Sequence, residues 1–241
     1  LAFPLVTGLA AGRPGVTAIA FTVAAAALFL AHEPAAVLMG RRGGRLQQAL
    51  AGPARARLGW LSVLGVGAAV LGVALGSPTV RLAALVPALF ALALVPAMVR
   101  GEVKTLGAEL LVVAHFSATL LPVALAGGAG WGFAWAATAV WFASFALGTV
   151  AVHGIKAAHK QQAAADRLHV LVPVLAVAAV GFGVLGAVSG RLSWAVGLAP
   201  APPVLAVLVI WAVRVQPRRL KRVGWSLVTA NLVTLGLLLA G

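Results

Sequence analysis

The feature that most restricts this chain is a succession of apolar stretches, each about as long as a bilayer is thick. A helix needs about 20 predominantly apolar residues to cross the hydrocarbon. Runs of that length follow one another here with only short polar breaks. They fall near Gly15–Gly40, Leu58–Gly76, Thr79–Val99, Thr105–Gly127, Trp131–Val152, Leu168–Ser189, Trp194–Val213 and Val223–Ala240. An opening segment, Leu1–Gly12, is too short to cross alone and is expected to continue upstream. Arg13-Pro14-Gly15, Ser77-Pro78, Gly127-Gly128-Ala129-Gly130 and Ser189-Gly190 separate the runs with turn chemistry. The expected fold is all-α: a polytopic membrane helix bundle of about nine transmembrane helices. It forms one transmembrane domain over residues 1–241, because the longest predicted loop, Arg41–Arg57, is far short of the ~50 residues a soluble domain needs.

Charge gives the runs a direction. Only 9% of residues are charged, against about 25% in soluble domains. The net charge of +14 does not point to nucleic acid, because the bases sit in short segments between apolar runs. Arg41, Arg42, Arg45, Arg55, Arg57, Arg100, Lys104, Lys156, Lys160, Arg167, Arg214, Arg218, Arg219, Lys221 and Arg222 all fall on one side, leaving Arg13, Arg81 and Arg191 for the other. The positive-inside rule makes the crowded side cytoplasmic, so the N-terminus is expected inside, the C-terminus outside, and the protein in a bacterial cytoplasmic (inner) membrane. Trp131, Trp135 and Trp194 then mark outer span ends, and Trp60, Trp211 and Trp225 inner ones. Glycines at Gly65, Gly67, Gly72, Gly76, Gly181, Gly183 and Gly186 are expected to let helices pack closely.

Ionisable groups inside a span are costly, so each calls for a partner or a role. Glu33 follows His32 and precedes Pro34, about 10 Å inside the basic end of the second span. It suits either a substrate or ion pocket or a pairing with Arg100 or Lys104. Glu102 and Glu109 lie seven apart and share a face if their helix begins early enough. His115 lies about 16 Å deep, where a histidine serves as a proton relay, a haem ligand or a helix–helix hydrogen bond. His153 opens a polar segment that, if continuously helical, aligns His159, Gln162, Asp166 and His169 on one face. That stripe suits a metal, an anionic headgroup or simply water. With no cysteine, thiolate chemistry and Cys-held metals are excluded, and nucleotide-binding glycine motifs, His-Glu-x-x-His and Gly-x-Ser-x-Gly are missing.

Several stretches resemble the YwiC-like family of bacterial membrane proteins. They are Phe3-Pro4-Leu5 with Gly8-Leu9, Phe29-Leu30-Ala31-His32-Glu33-Pro34 running to Gly40-Arg41-Arg42, Arg100-Gly101-Glu102, Ala108-Glu109-Leu110, and Ala126-Gly127-Gly128. The likeness extends to about residue 165. In that family a Lys-Glu-His-Gly-Ala-Trp stretch opens the first helix, which here would lie upstream of Leu1. The arrangement of spans is also similar to the UbiA-type intramembrane prenyltransferases, which have nine helices and acidic motifs at the cytoplasmic ends of the second and sixth. His32-Glu33 and the His153–Asp166 cluster fall at those two places. The UbiA-type motifs are aspartate-rich and clamp magnesium diphosphate; a single Glu and a single Asp here do not form such a clamp.

Three functions remain open on these residues. A UbiA-like lipid- or isoprenoid-binding protein, or a prenyltransferase-like enzyme without the aspartate motifs, would use a cavity opening to the cytoplasm between the second and sixth spans. A non-catalytic or haem-binding subunit of a respiratory-type complex would use His115 and other membrane subunits. A proton-coupled transporter would use Glu33 or Glu109. The expected partners are membrane lipids and other membrane subunits, with no nucleic acid and no magnesium site.

Overall fold

A computed structural model describes residues 2–162, 164–213 and 215–241; Leu1, assigned above to the first segment, and Arg214, counted among the bases, lie outside them. The described residues form nine helices and no strand. These are α1 (Ala2–Ala10), α2 (Val16–Leu38), α3 (Gly44–Leu75), α4 (Pro78–Arg100), α5 (Leu106–Ala126), α6 (Trp131–His159), α7 (Ala164–Val188), α8 (Trp194–Ala212) and α9 (Leu220–Ala240). Eight of them are long and apolar enough to cross a membrane, α1 being the exception. α5 is interrupted at Thr119 and α8 at Ala199-Pro200, and a 3-10 turn, Pro217–Arg219, leads into α9.

The chain is inside out relative to a soluble protein. Trp60, Val99, Val177, Phe182 and Leu85 are well exposed, whereas Thr7, Ser117, Thr138, Ser144, Asn231 and Thr234 are buried. A surface of that kind is stable only against lipid, so the bundle is membrane-embedded. α6 is its axis and α3 its periphery: 56% of the most apolar stretch of α6 is buried against 11% for α3. Leu120, Leu121 and Ala124 of α5 pack with Ala137 and Trp141 of α6, Ala199 of α8 and Leu238 of α9 to make the main core. A second core joins Leu147 and Val150 to Val172, Val204 and Val207 nearer the other end of α6.

Several helices outrun the apolar patterns. α3 begins at Gly44, not Leu58, so Arg45, Arg55 and Arg57 ride on a helix rather than in a loop. The cause is local: Arg45–Ala51 are mostly good helix formers, and Gly43 starts the helix from a positive φ of 97°. At 32 residues α3 measures about 48 Å, well beyond the ~30 Å of hydrocarbon. α6 likewise continues to His159, past the expected end at Val152. α4 stops where Gly101 takes the left-handed conformation (φ 80°), with the Glu102 amide donating to the Ala97 carbonyl at 2.9 Å.

At two prolines in the spans a side chain takes over the carbonyl that the proline cannot serve. Pro173 has no amide to offer the His169 carbonyl, and the indole Nε1 of Trp211 donates to that oxygen instead, at 3.0 Å. Pro203 leaves the Ala199 carbonyl, which receives the hydroxyl of Thr234 at 2.9 Å. Each substitution ties α8 to a neighbour, α7 in one case and α9 in the other.

Contacts between helix ends sort the loops into two faces. Arg41 donates to the Val99 carbonyl, and Trp211 meets His169, so the ends of α2 and α4 and the adjoining ends of α7 and α8 belong together. At the opposite face the Arg13 amide donates to the Gly127 carbonyl at 2.8 Å, and Arg81 caps the last carbonyls of α3. The described bases assigned to one side by sequence lie at the first of these faces or on the helices leaving it, here called the basic end.

Candidate functional site

Glu33 is held by its own connection, not by α4. Arg42 donates through Nε to Oε1 (2.9 Å) and through a terminal nitrogen to Oε2 (2.5 Å), a two-pronged bond. The expected pairing with Arg100 or Lys104 therefore does not form; the turn after α2 brings Arg42 back over the last helical turns. Both side chains are about half exposed, and the carboxylate holds the Arg42 guanidinium above its usual pKa. His32 stands exposed beside Glu33. Arg41 bridges to Val99, so the polar end of α2 meets Arg100-Gly101 at the end of α4.

Glu102 and Glu109 do not share a face. α5 starts at Leu106, capped by Thr105, whose hydroxyl accepts the Ala108 amide; Glu102 remains in the preceding turn, where its carbonyl accepts from Thr105. Glu109 instead reaches His153 of α6, with Oε2 and Nε2 3.0 Å apart, in a partly buried carboxylate–imidazole pair. His115 makes the third of its expected uses, a helix–helix bond: Nδ1 lies 2.9 Å from the Pro87 carbonyl, which makes Nδ1 the donor.

The polar segment after His153 is not one helix. α6 ends at His159, Gln161 takes a positive φ of 52°, and α7 begins at Ala164. The single-face stripe is thus broken, yet folding across the turn reunites three of its members. His159 from α6 and Asp166 and His169 from α7 line one cavity of about 410 Å³, without Gln162. Its apolar wall is Ala151, Leu168, Val172 and Ile210, and Trp211 of α8 also lines it, stacking on His169 with ring centroids 4.7 Å apart. Lys156, Lys160 and Arg167 flank this cavity in sequence, and the Pro217–Arg219 turn contacts α6. Among the described residues no three His, Asp or Glu side chains converge as a metal site would require, so the metal reading of the stripe gains no support.

A pocket between the second and sixth spans, as a UbiA-like layout implies, is not what joins these groups. α2 packs against α3 and the Leu120–Ala126 half of α5. Glu33 does not line the cavity shared by His159, Asp166 and His169, which opens between α6, α7 and α8.

Sequence reasoning missed residues that lie deeper. The indole of Trp141, fully buried, donates to the hydroxyl of Thr7 at 3.0 Å, and that hydroxyl donates to the Phe3 carbonyl at 2.9 Å. Phe3 and Phe145 both stack on the ring, at 5.4 and 5.5 Å between centroids. A tryptophan six residues beyond the belt tryptophan Trp135 carries no sequence mark of burial. Ser117, Thr138 and Asn231 were also unmarked; Oγ, Oγ1 and Oδ1 of these side chains are buried without a hydrogen-bond partner among the described residues.

No curated protein and no solved structure matches the chain. The sequence model of a family described as YwiC-like protein does match, over residues 1–124, a shorter stretch than the ~165 residues the motifs suggested. It takes in α1 to α4 and most of α5, including Glu33, Arg41, Arg42, Glu102, Glu109 and His115, while the cavity of His159, Asp166 and His169 lies beyond it. With half of its length so matched, this chain belongs to the YwiC-like family.

Proposed function

We propose that this protein is a multi-pass protein of the bacterial cytoplasmic membrane, with its basic end inside, that binds an anionic lipid or isoprenoid-type amphiphile in the cavity between α6, α7 and α8. One observation carries the reading: His159, Asp166 and His169, drawn from two helices, line one cavity with an apolar wall at the face where the bases gather. An anionic headgroup gains charge-assisted hydrogen bonds from the imidazoles, and Asp166 accepts from headgroup hydroxyls. Lys156, Lys160 and Arg167 raise the local concentration of anions, and Ala151, Val172 and Ile210 receive the first methylenes of a chain. Lipids co-purified with the protein and identified by mass spectrometry should be enriched in anionic species over the host membrane. His159→Ala with His169→Ala should lower retention of an added phosphate-headed lipid by about a hundredfold, the worth of about two charge-assisted bonds. Equal retention of zwitterionic and anionic lipids, unaffected by the double substitution, would remove this reading.

The Glu109–His153 pair favours a second reading, proton transfer at the inner ends of α5 and α6. Proton-driven flux in proteoliposomes abolished by Glu109→Gln would establish it, and flux that survives the substitution would dismiss it.

A further inference from the structure

The cavity between α6, α7 and α8 holds one residue that an anion site does not call for. His159, His169 and the neighbouring bases favour negative charge, yet Asp166 lines the same wall. Asp166 is exposed, as are both histidines, so a ligand in the cavity can reach its side chain. Among the described residues the ion pairs are Arg42–Glu33 and His153–Glu109. Asp166 forms none, although Arg167 follows it directly, so it does not serve to neutralise a base. Nor does a metal account for it, since among the described residues no three suitable ligands converge. Its position is the informative feature. Asp166 lies three residues before His169 on α7, which puts the two on one helix face with Cβ atoms about 5–6 Å apart. His169 is held by Trp211 at two points, through its backbone carbonyl at 3.0 Å and through the stacked rings at 4.7 Å. A stacked indole occupies the face of the imidazole and not its edge, where the nitrogens donate. A donor and an acceptor thus stand side by side, one turn apart, with His159 as a second donor from α6.

We propose, resting on the reading of this cavity given above, that its ligand is a phosphodiester lipid whose headgroup carries hydroxyls, and that Asp166 selects it. The phosphodiester oxygens accept from His159 and His169, and a hydroxyl further along the headgroup donates to Asp166. A phosphate monoester, whether on a prenyl or an acyl chain, has no such hydroxyl. It also brings additional negative charge against the carboxylate, which disfavours it. An ammonium headgroup would satisfy Asp166 but would meet Lys156, Lys160 and Arg167, which flank the cavity in sequence. A neutral donor joined to a single negative charge suits all of these groups at once. Asp166 therefore narrows the anionic amphiphiles to polyol phosphodiesters.

The test compares retention of phosphatidylglycerol and phosphatidate with identical acyl chains by the full chain in detergent, with phosphatidylcholine as the zwitterionic reference. Phosphatidylglycerol should be retained about tenfold better than phosphatidate, the worth of one hydrogen bond to a charged group. Net charge alone gives the opposite order, because the monoester carries more negative charge among these bases. Asp166→Asn should abolish the preference, raising retention of phosphatidate and lowering that of phosphatidylglycerol by about threefold each. Asp166→Glu should keep the preference, and neither substitution of this exposed residue should lower the thermal midpoint. Equal retention of the two lipids by the wild type, or loss of both together in Asp166→Asn, would overturn the proposal while leaving an anionic-lipid site in place. Retention of neither above phosphatidylcholine would remove the site and the proposal with it.

Discussion

Thr7 shows how much a single hydroxyl can carry in a protein whose interior has few polar atoms. It accepts the Trp141 indole and donates to Phe3, so it joins the shortest helix to the axis of the bundle. Thr7→Val preserves shape and leaves the indole N–H buried with nothing to receive it. The expected cost is about 1–3 kcal/mol, read as a lower thermal midpoint in detergent, with Thr7→Ser close to wild type. Glu33 stands at the other extreme. Its pair with Arg42 is half exposed, and such pairs contribute little; Glu33→Gln should leave the midpoint unchanged, and a clear drop would show that Glu33 does more than meet Arg42. Charged and imidazole residues were visible in the sequence because any one of them is an anomaly in an apolar run, and His159, Asp166 and His169 did prove to share a cavity. Their partners were not visible. Thr7 lies 134 residues from Trp141, and a threonine or serine in a span raises no alarm, since it can always bond its own helix.

Helix ends and helix contacts depend on where neighbours sit, which periodicity does not encode. The spacing Gly181, Gly183, Gly186 suggests close packing at all three positions, but only two of them meet a neighbour. A Cβ at Gly183 would run into the Gly197 backbone of α8, and one at Gly186 into Leu192, while Gly181 has open space around it. Gly183→Ala should therefore cost about 1–3 kcal/mol, as overpacking does, and Gly181→Ala should be silent; paired thermal unfolding measurements separate the two. The same limit explains the broken polar stripe. The stripe required a helix continuous through Gln162, and a left-handed Gln161 ends it. α7 runs unbroken through Pro173, where Trp211 of another helix donates to the carbonyl that the proline leaves free.

For the whole molecule, the order and number of apolar helices were legible because the bilayer imposes one length on them all; the added length of α3 and α6 was not, since helix outside the membrane obeys no such limit. The direction of the bundle is testable with unusual ease, since the chain contains no cysteine. Ser189→Cys, beyond α7, should react with a membrane-impermeant maleimide in intact cells or spheroplasts, whereas Gln48→Cys, on the basic overhang of α3, should react only after permeabilisation. The reverse pattern would invert the assignment. The tie between Thr7 and Trp141 also bears on how the protein is made. α2 and α3 pack mainly on each other, so that hairpin has its partner as soon as both strokes have left the ribosome. α1 has no such luck: its buried hydroxyl must wait for a tryptophan made 134 residues later. During synthesis α1 is made before α2, yet it settles only after α6 has followed it.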